Sequence, residues 1–268
     1  MRVKPFVSPK APPGWLTQLK KRERRDSPLP INEKQVGALI AYILTGSHTK
    51  LDGYMGRFVR LRDAAMTAMF WLFGKRCGEV ARLKTEDVWI EGDELKVKFT
   101  IEKKAKTYKV CECKTRNARD AVFCKRCGKE LGQAKVAKKG APIIRVKRKK
   151  LSNPFVRYIL DYMDLRKRFP PGYFFPPLNT QGKAHNKALD GIAPVVNKPL
   201  HRSVIFRIYD RYLLSPHLFR YAFAKNTLRR TKDVMLVKEA GDWSKVDTLL
   251  EYAKSLGVTR EDEEFAKL

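Results

Sequence analysis

Acidic residues are scarce in this chain, with 28 Asp and Glu against 57 Lys and Arg over 268 residues and a formal charge of +29. Such an imbalance points to a polyanionic partner. Long apolar runs are missing too. The longest, Ala64 to Phe73, falls far short of the roughly 20 residues that cross a bilayer, which excludes a helical membrane span and leaves no membrane partner. The opening MRVKPFVSPKAPPGW has no apolar core of the kind a secretory leader needs, so the protein is expected to stay inside the cell. Histidine is rare, and His185 and His201 have no metal-ligand spacing with any partner. They read as surface residues. Only five cysteines occur, and four of them fall between 111 and 127; the fifth, Cys77, reads as a small buried thiol.

The positive charge is clustered. Residues 1–30 carry eight Lys and Arg against two acids, and residues 101–150 carry eighteen against four. Clustering favours a nucleic-acid footprint over general solubility, with binding that weakens steeply in salt. Residues 1–28 are basic and hold Pro5, Pro9, Pro12 and Pro13, the composition of an arm without a packed core. It reads equally as a tail without a role or as an arm that tracks a polyanion. At 268 residues the chain can bury a real core, with room for one large domain or two small ones.

Helical periodicity begins near Ile31, where Val36, Leu39, Ile40 and Ile43 share a face, and stops near Gly46. A second apolar helix, Leu61 to Phe73, ends at Gly74, a residue that tolerates a left-handed backbone. Arg76 follows at the entrance of another helix. Read alone, it is a surface Arg at a helix end. From Glu94 to Glu102 the chain alternates, Leu95, Val97, Phe99 and Ile101 against Lys96, Lys98 and Thr100, a half-buried strand. A second alternation, Ile144 and Val146 against Arg145 and Lys147, is expected to pair with it. Ser152, Asn153 and Pro154 form a helix start ahead of Phe155, Ile159, Leu160 and Met163. In FPPGYFFPPLNTQGKAHNK the aromatics read as packed loop residues, with base stacking as the alternative. Helices are expected again from Ser203 to Leu213, from Asp233 to Gly241, and after Ser244, which with Asp247 makes a capping box.

Between the two strands lies CECKTRNARDAVFCKRCGKELG. Cys124, Cys127 and Gly128 form a knuckle that turns two thiolates toward one tetrahedral metal, and Cys111 with Cys113 supplies the other pair. Zinc is the expected occupant; a disulfide is disfavoured inside the cell, and free thiols are the remaining alternative. Asn117, Phe123 and Gly128 also resemble a small zinc ribbon, here 108–132. The first pair is CxC where CxxC is usual, so strain or altered geometry is expected there. Lys114, Arg116, Arg119, Lys125 and Arg126 make this segment basic, suited to structure and phosphate contact.

His217 and Arg220 stand three residues apart on one helix and can hold a single anion between them. A Tyr at position 252, after Val246, Leu249 and Leu250, is ordinarily half-buried packing. Three spaced groups of residues, taken together, resemble the tyrosine recombinase (phage integrase) family. They are Gly74, Arg76, Glu79, Leu83 and Asp87; then His217, Leu218, Phe219 and Arg220, with Phe219 where Leu is usual; then Gly241, Asp242, Trp243, Ser244, Thr248 and Tyr252, with Trp243 in the place the family fills with His or Trp. The match runs in order from about residue 31 to 252.

The resemblance implies an α+β, mostly α-helical catalytic fold over 29–268, with a small antiparallel hairpin or sheet and the zinc ribbon as an insertion. It also implies an enzyme that cleaves and rejoins double-stranded DNA through a 3′-phosphotyrosyl intermediate, as part of a mobile element. Arg76 and Arg220 would clamp the phosphate, His217 would assist proton movement, Trp243 would donate its indole N–H or wall the pocket, and Tyr252 would be the nucleophile. A Lys on the hairpin would protonate the leaving 5′ oxygen. Lys103 fits best, with Lys104 and Lys106 as rivals because a one-residue register shift swaps faces. The family's chemistry needs no catalytic metal or nucleotide cofactor, so zinc would belong to the ribbon alone. Work on DNA as a dimer or tetramer, in the cytoplasm and associated with the nucleoid, is expected. Full-length integrases carry a clamping domain ahead of this one, which about 28 residues cannot hold. Alternatives are a DNA-binding remnant that no longer cuts, a type IB topoisomerase-like enzyme, and a zinc-ribbon RNA-binding protein. The last leaves Arg76, His217 and Tyr252 unexplained.

Overall fold

The computed structural model of the chain describes residues 31–45, 51–101, 107–118, 120–132, 135–136, 142–179, 192–210, 214–243, 245–254 and 256. Along them run α1 (Glu33–Leu44), α2 (Gly53–Phe73), α3 (Cys77–Ala81), β1 (Val88–Glu91), β2 (Glu94–Ile101), β3 (Thr107–Val110), β4 (Arg116–Asn117), β5 (Lys135–Val136), β6 (Ile143–Lys150), α4 (Val156–Arg166), α5 (Arg202–Asp210), α6 (Pro216–Thr231), α7 (Val234–Gly241) and α8 (Asp247–Lys254). The architecture is α+β, with two small three-stranded sheets ordered β1-β2-β6 and β4-β3-β5. The chain divides into two compact units, residues 1–98 with 146–268, and residues 99–145. The arm expected at 1–28 lies outside the described residues.

In the larger unit α2 is the core element, because every side chain from Ala64 to Phe70 is buried and α1, α4 and α6 all pack on it. Helix α1 starts where Asn32 and Gln35 bond reciprocally, each side chain accepting the other's backbone N–H at 2.9 and 3.0 Å. Its Val36, Leu39, Ile40 and Ile43 are wholly buried, a contribution of roughly 1.5–3 kcal/mol each before the entropy of ordering them. Helix α2 begins at Gly53, eight residues ahead of the Leu61 start expected from periodicity.

Helix α4 begins at Val156, later than the Ser152–Pro154 signal, since Asn153 turns back to accept the Phe155 N–H at 3.0 Å and delays the first turn. The aromatic loop after it is packed. Phe174 and Phe175 are buried, Phe175 stacks on Tyr162 with centroids 5.5 Å apart, and the Tyr162 hydroxyl donates to the Phe174 carbonyl at 2.7 Å. Buried Arg166 donates to the carbonyls of Phe169, Pro170 and Tyr173, satisfying backbone that helices and strands leave bare.

Strand β2 buries Leu95, Val97 and Phe99, as the alternation requires, and β1 pairs with it antiparallel from Val88 opposite Val97 to Glu91 opposite Glu94. Strand β6 lies on its other side with the opposite logic: Ile144 and Val146 are 58% and 53% exposed while Lys147 and Lys149 are part-buried. On this basic face Lys147 turns inward toward polar partners. Lys147 donates to the Glu239 carbonyl at 3.0 Å, at the end of α7.

In the smaller unit β3 pairs with β4 and β5, and a miniature core forms from Cys111, Cys124 and Leu131. Among the described residues no helix is long and apolar enough to cross a membrane.

Candidate active site

Gly74 closes α2 in the left-handed region at φ 58°, and a Cβ there would meet the Phe223 ring at 2.5 Å. Both conditions select glycine. The turn frees the Gly74 carbonyl to accept from Arg220 Nη1 at 2.6 Å. Two residues on, Arg76 enters α3 in extended conformation. Buried Glu79 holds it twice, accepting the Arg76 backbone N–H at 3.0 Å and the Arg76 Nη1 at 2.9 Å. The Arg76 side chain remains 44% exposed, so Glu79 fixes one edge of the guanidinium and leaves the rest facing solvent.

Helix α6 opens at Ser215 in extended conformation with Pro216 in its first turn. That places His217 on the exposed side of the helix start and Arg220 one turn deeper, 7% exposed. The Arg220 guanidinium carbon sits 3.9 Å from the centre of the Trp243 ring. Its Nη2 is buried with no hydrogen-bond partner. A buried, charged donor left unpaired costs upward of about 1–3 kcal/mol, and the aromatic face offsets only part of that. Burial, with Arg76 alongside, lowers the Arg220 pKa to about 10. His217 is held below its ordinary range by partial desolvation and by Arg202, Arg220 and Arg76, which makes neutral imidazole the prevailing form at pH 7.

Trp243 is aimed by the end of α7. Asp242 takes the left-handed conformation at φ 54°, and the Trp243 N–H donates to the Lys238 carbonyl at 2.9 Å. The indole lies so close over Gly241 that a Cβ there would come within 1.5 Å of the ring. Asp242 is itself anchored. Its Oδ2 accepts from Lys75 Nζ, and Lys147 Nζ stands 3.8 Å from its Oδ1. Lys75 is 1% exposed, and desolvation lowers its pKa against the opposing pull of Asp242. This ion pair ties the turn that presents Gly74 and Arg76 to the turn that presents Trp243.

Tyr252 sits on α8, half-buried, with its ring edge-on to Tyr221 at 4.6 Å. Burial and Tyr221 push its pKa up while Arg220 pulls it down, so hydroxyl and guanidinium lie within electrostatic reach. The apolar cluster of Ala224, Leu228, Val237, Leu249 and Ala253, flanked by Trp243 and Tyr252, holds α6, α7 and α8 together.

Arg76, His217, Arg220, Trp243 and Tyr252 therefore belong to one neighbourhood. Lys103, Lys104 and Lys106 lie outside the described residues. The sequence reading missed Lys75, Lys147 and Arg202. A Lys wedged between the apolar end of α2 and Arg76 was the available signal for Lys75. For Lys147 and Arg202 there was none in so basic a chain. Cys77 is buried, which raises its thiol to about 11 and makes it inert. His201 bonds the Ser203 hydroxyl at 2.8 Å on the surface.

In the smaller unit the Sγ atoms of Cys111, Cys113, Cys124 and Cys127 all lie within 4.8 Å of one another. The Cys111–Cys127 and Cys113–Cys124 separations are 3.3 and 3.6 Å, near the ~3.8 Å that four ligands at about 2.3 Å from a tetrahedral zinc would show. Gly128 is left-handed at φ 70° and donates its N–H to the Cys124 carbonyl at 2.9 Å, while the Cys124 N–H donates to Lys129. The first knuckle repeats this scheme with one residue fewer. Lys114 is left-handed at φ 63° and donates to the Cys111 carbonyl at 2.8 Å, while the Cys111 N–H donates to Thr115. The CxC spacing is thus accommodated by a tighter turn, at the cost of a positive φ at Lys114.

No protein-family model matches the chain, and no curated protein matches it. Among solved structures the fold is similar to that of XerH site-specific recombinase bound to palindromic difH substrate, at 15% identity and TM-score 0.49 over 90% of this chain and 53% of that one. It is also similar to XerA recombinase, at 16% and 0.47 over 85% and 63%, and to the Tn1549 transposon integrase in complex with circular intermediate DNA, at 13% and 0.40 over 85% and 62%. The chain spans about half the length of XerH.

Proposed function

We propose that this chain is a tyrosine recombinase that cleaves and rejoins double-stranded DNA. The observation that carries the reading is the orphaned Nη2 of buried Arg220, whose guanidinium lies within electrostatic reach of Arg76, His217 and Tyr252. A site with two guanidinium groups and an unpaired donor is completed by an anion with several acceptor oxygens, which a phosphodiester supplies. The order of the three residue groups in the sequence supports the same reading.

Arg220 and Arg76 bind the non-bridging oxygens and take up the charge that grows as a fifth ligand approaches phosphorus. Trp243 acts through Arg220: its ring face lies against the guanidinium and holds that side chain in plane. Neutral His217 accepts the Tyr252 proton as Tyr252 Oη bonds to phosphorus. The bond from phosphorus to the 5′ oxygen breaks, and Lys103 returns a proton to that oxygen. The 3′ phosphotyrosine preserves the bond energy, so a 5′ hydroxyl from another strand reverses the step. Two or four copies on DNA would bring such strands together.

The four cysteines of residues 108–132 would hold zinc, which supplies a structural cross-link and takes no part in strand cleavage. On this reading residues 29–268 are one catalytic domain and 108–132 an insertion in it.

The test is a covalent-complex assay. Duplexes nicked so that the cleaved fragment diffuses away are incubated with the chain and run on a denaturing gel. A protein–DNA band that Tyr252→Phe abolishes is expected. No band across varied substrates overturns the enzymatic reading, and a band surviving Tyr252→Phe moves the nucleophile elsewhere.

A further inference from the structure

The smaller unit carries an apolar feature that its metal cluster does not explain. Phe123 is 62% exposed and Val122 55% exposed. They stand immediately before Cys124, on a rigid support. Phe123 forms an antiparallel bridge with Glu130, the Leu131 N–H donates to the Val122 carbonyl at 2.8 Å, and the Cys124 N–H donates to Lys129 at 2.8 Å. The miniature core of Cys111, Cys124 and Leu131 takes in Ala121 and leaves the next two residues outside. A large aromatic held outward on a fixed turn has lost hydrophobic stabilisation that a flexible side chain would recover by folding back.

The charge around this tip selects the occupant. Residues 99–145 contain fourteen Lys and Arg against four acids. Lys114, Arg116, Lys125 and Arg126 are all exposed, and Lys125 and Arg126 directly follow the first cysteine of the second knuckle. Lys129 is occupied by Glu112 at 2.8 Å. An acidic protein partner would answer the cations but gains little from an isolated aromatic. A second copy of this chain would set like charges against each other. Nucleic acid satisfies both parts, because phosphates flank the flat apolar faces and edges of bases.

We infer that Phe123, with Val122, is a base-contacting wedge: the ribbon's cations seat on phosphates while the Phe123 ring packs against or between base pairs of duplex DNA. This rests on the DNA-binding reading above but is independent of the strand-cleavage chemistry. Phosphate contact alone would give a purely electrostatic footprint, whereas a wedge adds a salt-independent part and distorts the base step it enters.

The experiment uses the full zinc-loaded chain and a 40-base-pair mixed-sequence duplex bearing 2-aminopurine, titrated over a range of salt concentrations. Phe123→Ala is expected to weaken binding roughly 5- to 100-fold, the loss of one aromatic–base contact, with the slope of log affinity against log salt unchanged. The paired variant Lys125→Ala/Arg126→Ala is expected to flatten that slope by nearly two, about 0.9 per phosphate contact. The wild-type chain should brighten 2-aminopurine on binding, Phe123→Trp should preserve this, and Phe123→Ala should abolish it. Retained zinc content and helical circular dichroism show that the variants are folded. Equal affinity and equal 2-aminopurine response for wild type and Phe123→Ala overturn the wedge while DNA binding stands. No DNA binding by the wild type overturns both readings. Self-association lost in Phe123→Ala without change in DNA affinity overturns the wedge in favour of a contact between copies.

Discussion

Asp242→Gly is the perturbation that bears hardest on how the site is held. Asp242 neutralises Lys75, whose side chain has no exposed surface. Removing one member of a buried pair costs about 3–5 kcal/mol, because the other charge loses its principal counter-charge in a desolvated place. Glycine at 242 relieves the left-handed backbone at φ 54°, worth roughly 1–2 kcal/mol for a non-glycine residue. A net loss of about 1–4 kcal/mol follows, or roughly 2–16 °C in melting temperature at about 2–4 °C per kcal/mol. Lys75→Met in the same chain removes the stranded charge, so the double variant should recover most of the loss. The pH dependence has a definite sign. The folded pKa of Lys75 is lowered, so below the ordinary lysine range the unfolded state binds more protons and stability rises with pH. Without Asp242 the amine is depressed further, and the defect should shrink between pH 7 and 10. Thermal melts of the three chains at pH 7, 8.5 and 10 measure this. A single variant as stable as wild type, a double variant no better than the single, or a defect that grows with pH would refute the reasoning.

Gly241→Ala should leave DNA affinity nearly intact and lower the rate of covalent-complex formation at least tenfold, because its Cβ displaces the Trp243 ring from Arg220; single-turnover kinetics checks this. Since His217 is held below its ordinary range, cleavage should remain constant as pH falls from 8 to 7 and drop only once the imidazole protonates. A pH–rate profile with its acidic limb above the ordinary histidine value contradicts the general-base role. About one zinc per chain is expected by elemental analysis. Chelation should weaken DNA binding while the helical signal of the larger unit persists; affinity equal with and without chelator removes the cysteine segment from the binding account.

Helical and strand periodicity made the architecture legible where burial follows pattern. The four buried residues of α1 and the buried face of β2 are those their spacing selects. Pattern failed at β6, whose apolar residues are exposed and whose Lys147 and Lys149 turn inward, because contact with the end of α7 outweighs hydropathy there. Motif spacing placed Arg76, His217, Arg220, Trp243 and Tyr252 together, but not their supports. The partnership of Lys75 with Asp242 spans 167 residues, and no local signal pairs two charges at that distance. The face of Trp243 against Arg220 was likewise invisible, since spacing says which residues meet and not which atoms touch. The CxC pair was expected to bring strain or altered geometry, and the left-handed Lys114 is that alteration.

The central claim is that one phosphorus is reached by the Tyr252 hydroxyl within the field of Arg220 and Arg76. Mass spectrometry of the proteolysed covalent complex tests it most directly. The account predicts a single modified peptide, with the 3′ phosphate of a nucleotide on Tyr252 and none when Arg220 is replaced by Ala. A nucleotide carried by any other residue, attached through its 5′ phosphate, or formed equally well without Arg220 would contradict it.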